Sequence, residues 1–353
     1  ADVFDAGIFL EGPITENLTF AIGARRSYID LLLSAALSDS GDVSVSVAPR
    51  YYDYQALFDY KAGRHHIRTF FLGSDDALVF VLKEPVENTG GLRGQFENHI
   101  FFNRGYLSWR WRATEGFTNA LSVALGRNAL QLDFGEDIHV DNFAWELTIR
   151  EDISLKLTDQ VLWRVGLDHE QFFGELDINL PLPRKEGGRS SGQSFASRDF
   201  IESRHKFYLT NPALWTEFQI KLFDERLLLV PGIRAEYDLK IDDYAIDPRL
   251  TVRYTVVKDK TTLKGGLGLF AQRPSPDESD SEFGDPNINF ERAIHASLGI
   301  EQALGKRFVL DLVGFHKYLY AMVRPIEQTS AENAVEGDKV RRLENKGIGR
   351  VYG

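Results

Sequence analysis

Apolar and polar residues alternate along almost the whole chain, in segments joined by links that are short and long by turns. Short links fall at 12–17, 62–65, 113–118, 158–160, 224–226, 258–261 and 305–306. Longer ones fall at 31–49, 83–94, 133–140, 181–205, 240–247, 274–289 and 324–342. An antiparallel sheet with all its tight turns at one end and all its long loops at the other has no counterpart among soluble sandwiches. It is the pattern of an outer-membrane barrel, with short periplasmic turns and long extracellular loops. The expected fold is all-β, a transmembrane antiparallel β-barrel.

The rhythm runs from end to end, so residues 1–353 read as one domain, incomplete as a membrane unit. No apolar run reaches the eighteen or more residues of a membrane-spanning helix. Mean hydropathy is −0.26, which suits a barrel in which only alternate residues face lipid. With 52 acidic and 41 basic residues the net charge is −11, so a nucleic-acid partner is not expected. The absence of cysteine removes disulfides and thiolate metal sites and suits an envelope compartment. No basic, apolar-cored leader opens the chain, and an internal start within a longer protein is the favoured reading.

Alternation assigns faces. Leu121, Val123 and Leu125 form one row and Ala120, Ser122, Ala124 and Gly126 the other. Phe143, Trp145, Leu147 and Ile149 oppose Glu146, Thr148 and Arg150, and Trp163, Val165 and Leu167 oppose Arg164, Gly166 and Asp168. About fifteen strands follow, many longer than the roughly 9–11 residues needed to cross a bilayer at a tilt. Segment 67–82 is ambiguous in parity, and a bulge near Gly73 is expected. Aromatics near strand ends, such as Tyr51, Tyr52, Trp109, Trp111, Tyr318 and Tyr320, fit interfacial girdles.

From Ala271 the chain reads AQRPSPDESDSEFGDPNINFERAIHASLGIE, with Asp285, Pro286, Asn287 and Ile288 in a loop, then Glu291, then Leu298, Gly299, Ile300 and Glu301 in a strand. This resembles the barrel of TonB-dependent outer-membrane receptors, with Asp285 in place of the usual Asn and Asn289-Phe290 where Lys-Pro is common. The stretches FDAGIFLEGPITENLTFAIGARRSYIDLLL from Phe4 and ENKGIGRVYG from Glu344 resemble the same family. The resemblance implies a 22-stranded barrel of which about fifteen strands are present. It also implies an N-terminal plug absent from this chain, coupling to the TonB energy complex through that plug, and an outer-membrane location. The implied function is energised import of a scarce ligand. A non-energised pore and a surface signalling or scaffold barrel remain open alternatives.

No catalytic constellation is present, so the chain is not read as an enzyme and no cofactor is expected. His65, His66 and His139 lack metal-ligand spacing and read as solvated, the first two in a periplasmic turn. The acidic runs read as solvated faces, and no metal site is assigned. Arg25, Arg104, Arg110, Arg164, Arg234 and Arg253 share the inward parity with Glu146, Asp168, Glu217, Glu236 and Asp311. They are candidates either to grip a plug or to pair with neighbours on the wall. Arg184, Arg189 and Arg198 in the longest loop are candidates for capture of an anionic ligand or a surface partner.

Overall fold

The computed structural model describes residues 4–30, 45–82, 94–135, 138–181, 200–275, 278–279, 285–305, 307–326 and 343–353. They form fifteen strands: β1 (Asp5–Thr15), β2 (Leu18–Ser27), β3 (Val45–Ala62), β4 (His65–Leu82), β5 (Gly94–Thr114), β6 (Phe117–Phe134), β7 (Ile138–Lys156), β8 (Val161–Pro181), β9 (Phe200–Leu222), β10 (Leu227–Asp238), β11 (Asp243–Val257), β12 (Thr261–Gln272), β13 (Glu291–Leu304), β14 (Phe308–Pro325) and β15 (Leu343–Tyr352). The strands lie in one antiparallel sheet in chain order. Their residues cluster into two compact units, one of 1–111, 121–149 and 170–208, the other of 112–120, 150–169 and 209–353.

Turn chemistry explains the tight links. The Thr15 hydroxyl accepts from the Asn17 and Leu18 amides, and the Thr158 hydroxyl does the same for Gln160 and Val161. Gly63, at φ 55°, turns the two-residue link from β3 to β4. The Lys156 ammonium at the end of β7 sits 2.6 Å from Asp159 in the following link, and this hydrogen bond holds the carboxyl below its usual range.

Strict sorting of the links fails twice. β6 and β7 are joined at 135–137, and β10 and β11 at 239–242, where longer loops were expected. In the second, Asp238 Oδ1 accepts from the Lys240 and Ile241 amides and closes the turn. Hydrophobic alternation stops where lipid stops, whereas backbone pairing continues into water. Polar strand ends therefore look like loop in the sequence. The expected bulge near Gly73 is also absent, since β4 pairs β3 and β5 in unbroken register from His65 to Leu82. The Tyr54 ring lies across Gly73 and its hydroxyl donates to Asn103 Oδ1 at 2.5 Å, so glycine here makes room for a side chain.

Directly opposed residues share a face. In the first unit the row Leu18, Tyr60, Ile67 and Trp109 is apolar, and the row Arg25, Asp53, Ser74 and Phe102 lies on the opposite face. In the second unit Tyr254, Leu263, Ile300 and Leu312 form an apolar row, while Trp215, Arg234 and Asp247 form a row on the other face. The apolar face is exposed: Leu298 is 72% and Leu312 64% accessible. Buried hydrophobics among the described residues are few, chiefly Ile241, Ala245, Ile288 and Phe290. A continuous apolar face of this extent left open to water would drive association, so its solvent is lipid.

Candidate functional site

The charged face is the candidate site, and each unit carries part of it. In the first unit Arg25 Nε donates to Asp53 at 2.5 Å and a second guanidinium nitrogen lies 3.8 Å from Asp5. Arg104 donates to Asn128 Oδ1 at 2.8 Å and lies 3.5 Å from Glu146. Its guanidinium crosses the position a Cβ on Gly126 would fill, so the glycine permits that reach. Asp59 gathers Arg68 at 2.7 Å, His66 at 2.9 Å and Lys61 at 3.1 Å. Arg110 stands opposite His66, is exposed, and enters no ion pair among the described residues.

In the second unit Asp168 is clasped between Arg150, at 2.7 Å, and Arg234, which also lies 3.4 Å from Glu236. Arg164 bridges Asp152 and Glu217, the latter at 2.8 Å. Between Arg164 and Asp168 on the same face, Gly166 leaves the space into which the Trp215 ring lies, and Arg164 rests over that ring at 5.4 Å. Arg253 meets Glu301 at 3.2 Å, and Lys264 holds Asp311 at 2.6 Å. Alternating lattices of this kind fix long side chains by mutual pairing and present a stiff polar wall.

Five of the six inward arginines thus have carboxylate partners on the wall, and Arg110 has none among the described residues. Arg184, Arg189 and Arg198 lie outside the described residues. Asp59, Asp152, Lys264 and Trp215 were not singled out from the sequence. Counting same-parity partners around each arginine would have found Asp152, two positions from Arg150.

The three histidines are engaged with side chains. His65 stacks on Trp109 and Trp111 with centroids 6.0 and 6.2 Å away and accepts the Trp109 indole N–H at 3.1 Å. His66 pairs with Asp59, and His139 lies 3.4 Å from Asp177. His65 and His66 open β4 and do not lie in the turn. No group of three or more metal-ligating side chains is assembled among the described residues.

One face for lipid and one for charge, on fifteen antiparallel strands, define an outer-membrane β-barrel protein. A family model described as TonB dependent receptor-like, beta-barrel, matches residues 20–344, and the chain belongs to that family. No curated protein sequence matches. Among solved structures, a point mutant of the ferric enterobactin receptor PfeA of Pseudomonas aeruginosa, in complex with enterobactin, is similar at 15% identity and TM-score 0.68. The match covers 99% of this chain and 56% of that one. The siderophore receptor PirA of the same organism is similar at 16% identity and TM-score 0.64, over 99% and 58%. The outer membrane transporter YddB of Escherichia coli is similar at 9% identity and TM-score 0.70, over 99% and 50%. The chain therefore spans little more than half the length of the structures it matches.

Proposed function

We propose that this chain is barrel wall of a receptor that imports a scarce ligand across the outer membrane with energy delivered by TonB, and that residues 1–353 form one incomplete barrel domain. Membership of the receptor family over residues 20–344 carries the reading. The face assignments support it, because the paired charges form a polar inner surface and the apolar rows an outer one. Capture of the ligand by outer loops, including Arg184, Arg189 and Arg198, belongs to the same proposal, as does a plug engaged by TonB.

The full reading frame, expressed in a strain lacking its own siderophore receptors, provides the test. Ferric enterobactin and a panel of other ferric siderophores serve as probes, with and without a functional tonB gene. Growth on at least one probe that vanishes without TonB is the expected result. Equal uptake in both strains would leave a passive pore, and a frame encoding no plug would remove the energised reading.

A further inference from the structure

We propose that Glu151, on the lipid-facing side of β7 near its periplasmic end, binds the primary ammonium headgroup of a phospholipid in the periplasmic leaflet. The proposal rests on the face assignment and not on energised import.

Glu151 has to point outward. Its neighbours Arg150 and Asp152 both pair on the charged face, with Asp168 and Arg164, and side chains alternate along a strand. Three closing bonds set its level: the Lys156 amide donates to the Gly116 carbonyl, Leu157 to Val161, and Lys221 to Gln160. Counting antiparallel from them puts Arg150 opposite Asp168 and Arg164 opposite Glu217, which are observed ion pairs, and puts Glu151 in one row with Leu167 and Leu214. Both leucines are exposed. One row nearer the turns come Ile153, Val165 and Thr216, and beyond them Trp163 and Phe218, stacked with centroids 6.3 Å apart.

A carboxylate in such surroundings is costly, and the wall does little to offset it. In the same unit Asp152, Asp168, Glu217, Glu301 and Asp311 each have a cation, whereas Glu151 has none among the described residues. Its hydrogen bond comes from the side-chain amide of Asn119, which is neutral. By the Lys156 to Gly116 bond, Asn119 stands one row nearer the periplasm than Glu151. The carboxylate is therefore drawn toward the headgroup level, half-buried and still open to lipid.

Depth selects the occupant. Tryptophan sits at the headgroup boundary, and Trp163, whose indole N–H donates to the Thr216 hydroxyl at 2.8 Å, marks that boundary here. Glu151 lies just inside it. A lipid ammonium reaches this depth while its acyl chains cover Leu167 and Leu214, and it brings N–H donors of opposite charge to a carboxylate that the wall leaves unneutralised. A quaternary ammonium brings the charge without the donors, and an anionic headgroup is repelled. The expected order of preference is primary amine, then quaternary amine, then phosphoglycerol.

The test places the full-length receptor in nanodiscs of equimolar phosphatidylethanolamine, phosphatidylcholine and phosphatidylglycerol, and native mass spectrometry measures the lipids retained. Phosphatidylethanolamine should be retained over phosphatidylglycerol, and that ratio should fall about fivefold in Glu151→Gln, the order of one exposed ion pair. Glu115→Gln, in the link between β5 and β6, should leave it unchanged, and heat-modifiable gel mobility should show both variants folded. A ratio indifferent to Glu151→Gln, or lowered equally by Glu115→Gln, would overturn the proposal. The photocrosslinking residue p-benzoylphenylalanine at Leu167 should give lipid adducts in outer membranes. A crosslink there to a second copy of the receptor or to another protein would overturn it as well, by placing protein over the site.

Discussion

Glycine and arginine positions do much of the work at the scale of single residues. A side chain at Gly166 would strike the Trp215 ring and the Glu151 carbonyl, so Gly166→Val should lower stability by about 1–3 kcal/mol through overpacking. The midpoint of urea unfolding in detergent measures it, and the Trp215→Ala background should remove part of the penalty. Pairing also decides what the inward arginines do. Arg164 and Arg253 are tied to wall carboxylates, so replacing either by alanine should reduce the folded fraction, while Arg110→Ala should leave folding unchanged. Heat-modifiable mobility reads this directly. Alternation made the parity of these residues legible in the sequence. It could not say which carboxylate each guanidinium reaches, because that depends on strand register and on glycines such as Gly126 that let a long side chain cross.

At the scale of elements, β14 carries the irregularity that the motifs serve. Its register shifts around Met322, with Ala321 at φ 53°, and backbone groups are left without ladder partners. Glu291 accepts the Val323 amide at 2.8 Å, and Asn345 Nδ2 donates to the Ala321 carbonyl at 2.9 Å. Asn345 also accepts from the Asn289 amide at 2.7 Å and donates to its carbonyl at 3.0 Å. Two stretches that carried the family resemblance thus meet at one bulge. Asn345→Ala should cost about 1–3 kcal/mol by stranding these groups, measured as a shift in the same unfolding midpoint. Phe290, a departure from the family pattern, is 1% exposed and packs with Ile241 and Ala245. Phe290→Ala should cost about 3–5 kcal/mol, and Phe290→Leu much less.

For the whole molecule, the partition of faces is the governing fact. Gly126 and Asn128 share the face of Arg104, which places Ser122 with them and Val123 on the apolar side. Val123→Arg near the bilayer midplane should cost roughly 2–4 kcal/mol, while the effect of Ser122→Arg should depend on local space. Refolding into lipid vesicles compares the two, and equal tolerance would overturn the face assignment. A cysteine at Glu115, in the tight link between β5 and β6, should resist impermeant reagents on intact cells.

Alternation, turn residues and the absence of a helical span were enough to give about fifteen antiparallel strands and the face of most of them, segment 67–82 excepted, since a two-residue period and a polar hairpin link are local properties. Links at 135–137 and 239–242 and the straight register through Gly73 were decided only in three dimensions, because backbone pairing in water leaves no hydrophobic trace. The same holds for the charged face. Sequence placed acids and bases on it, but which cation finds which partner depends on residues far apart in the chain arriving side by side, as Arg234 and Asp168 do.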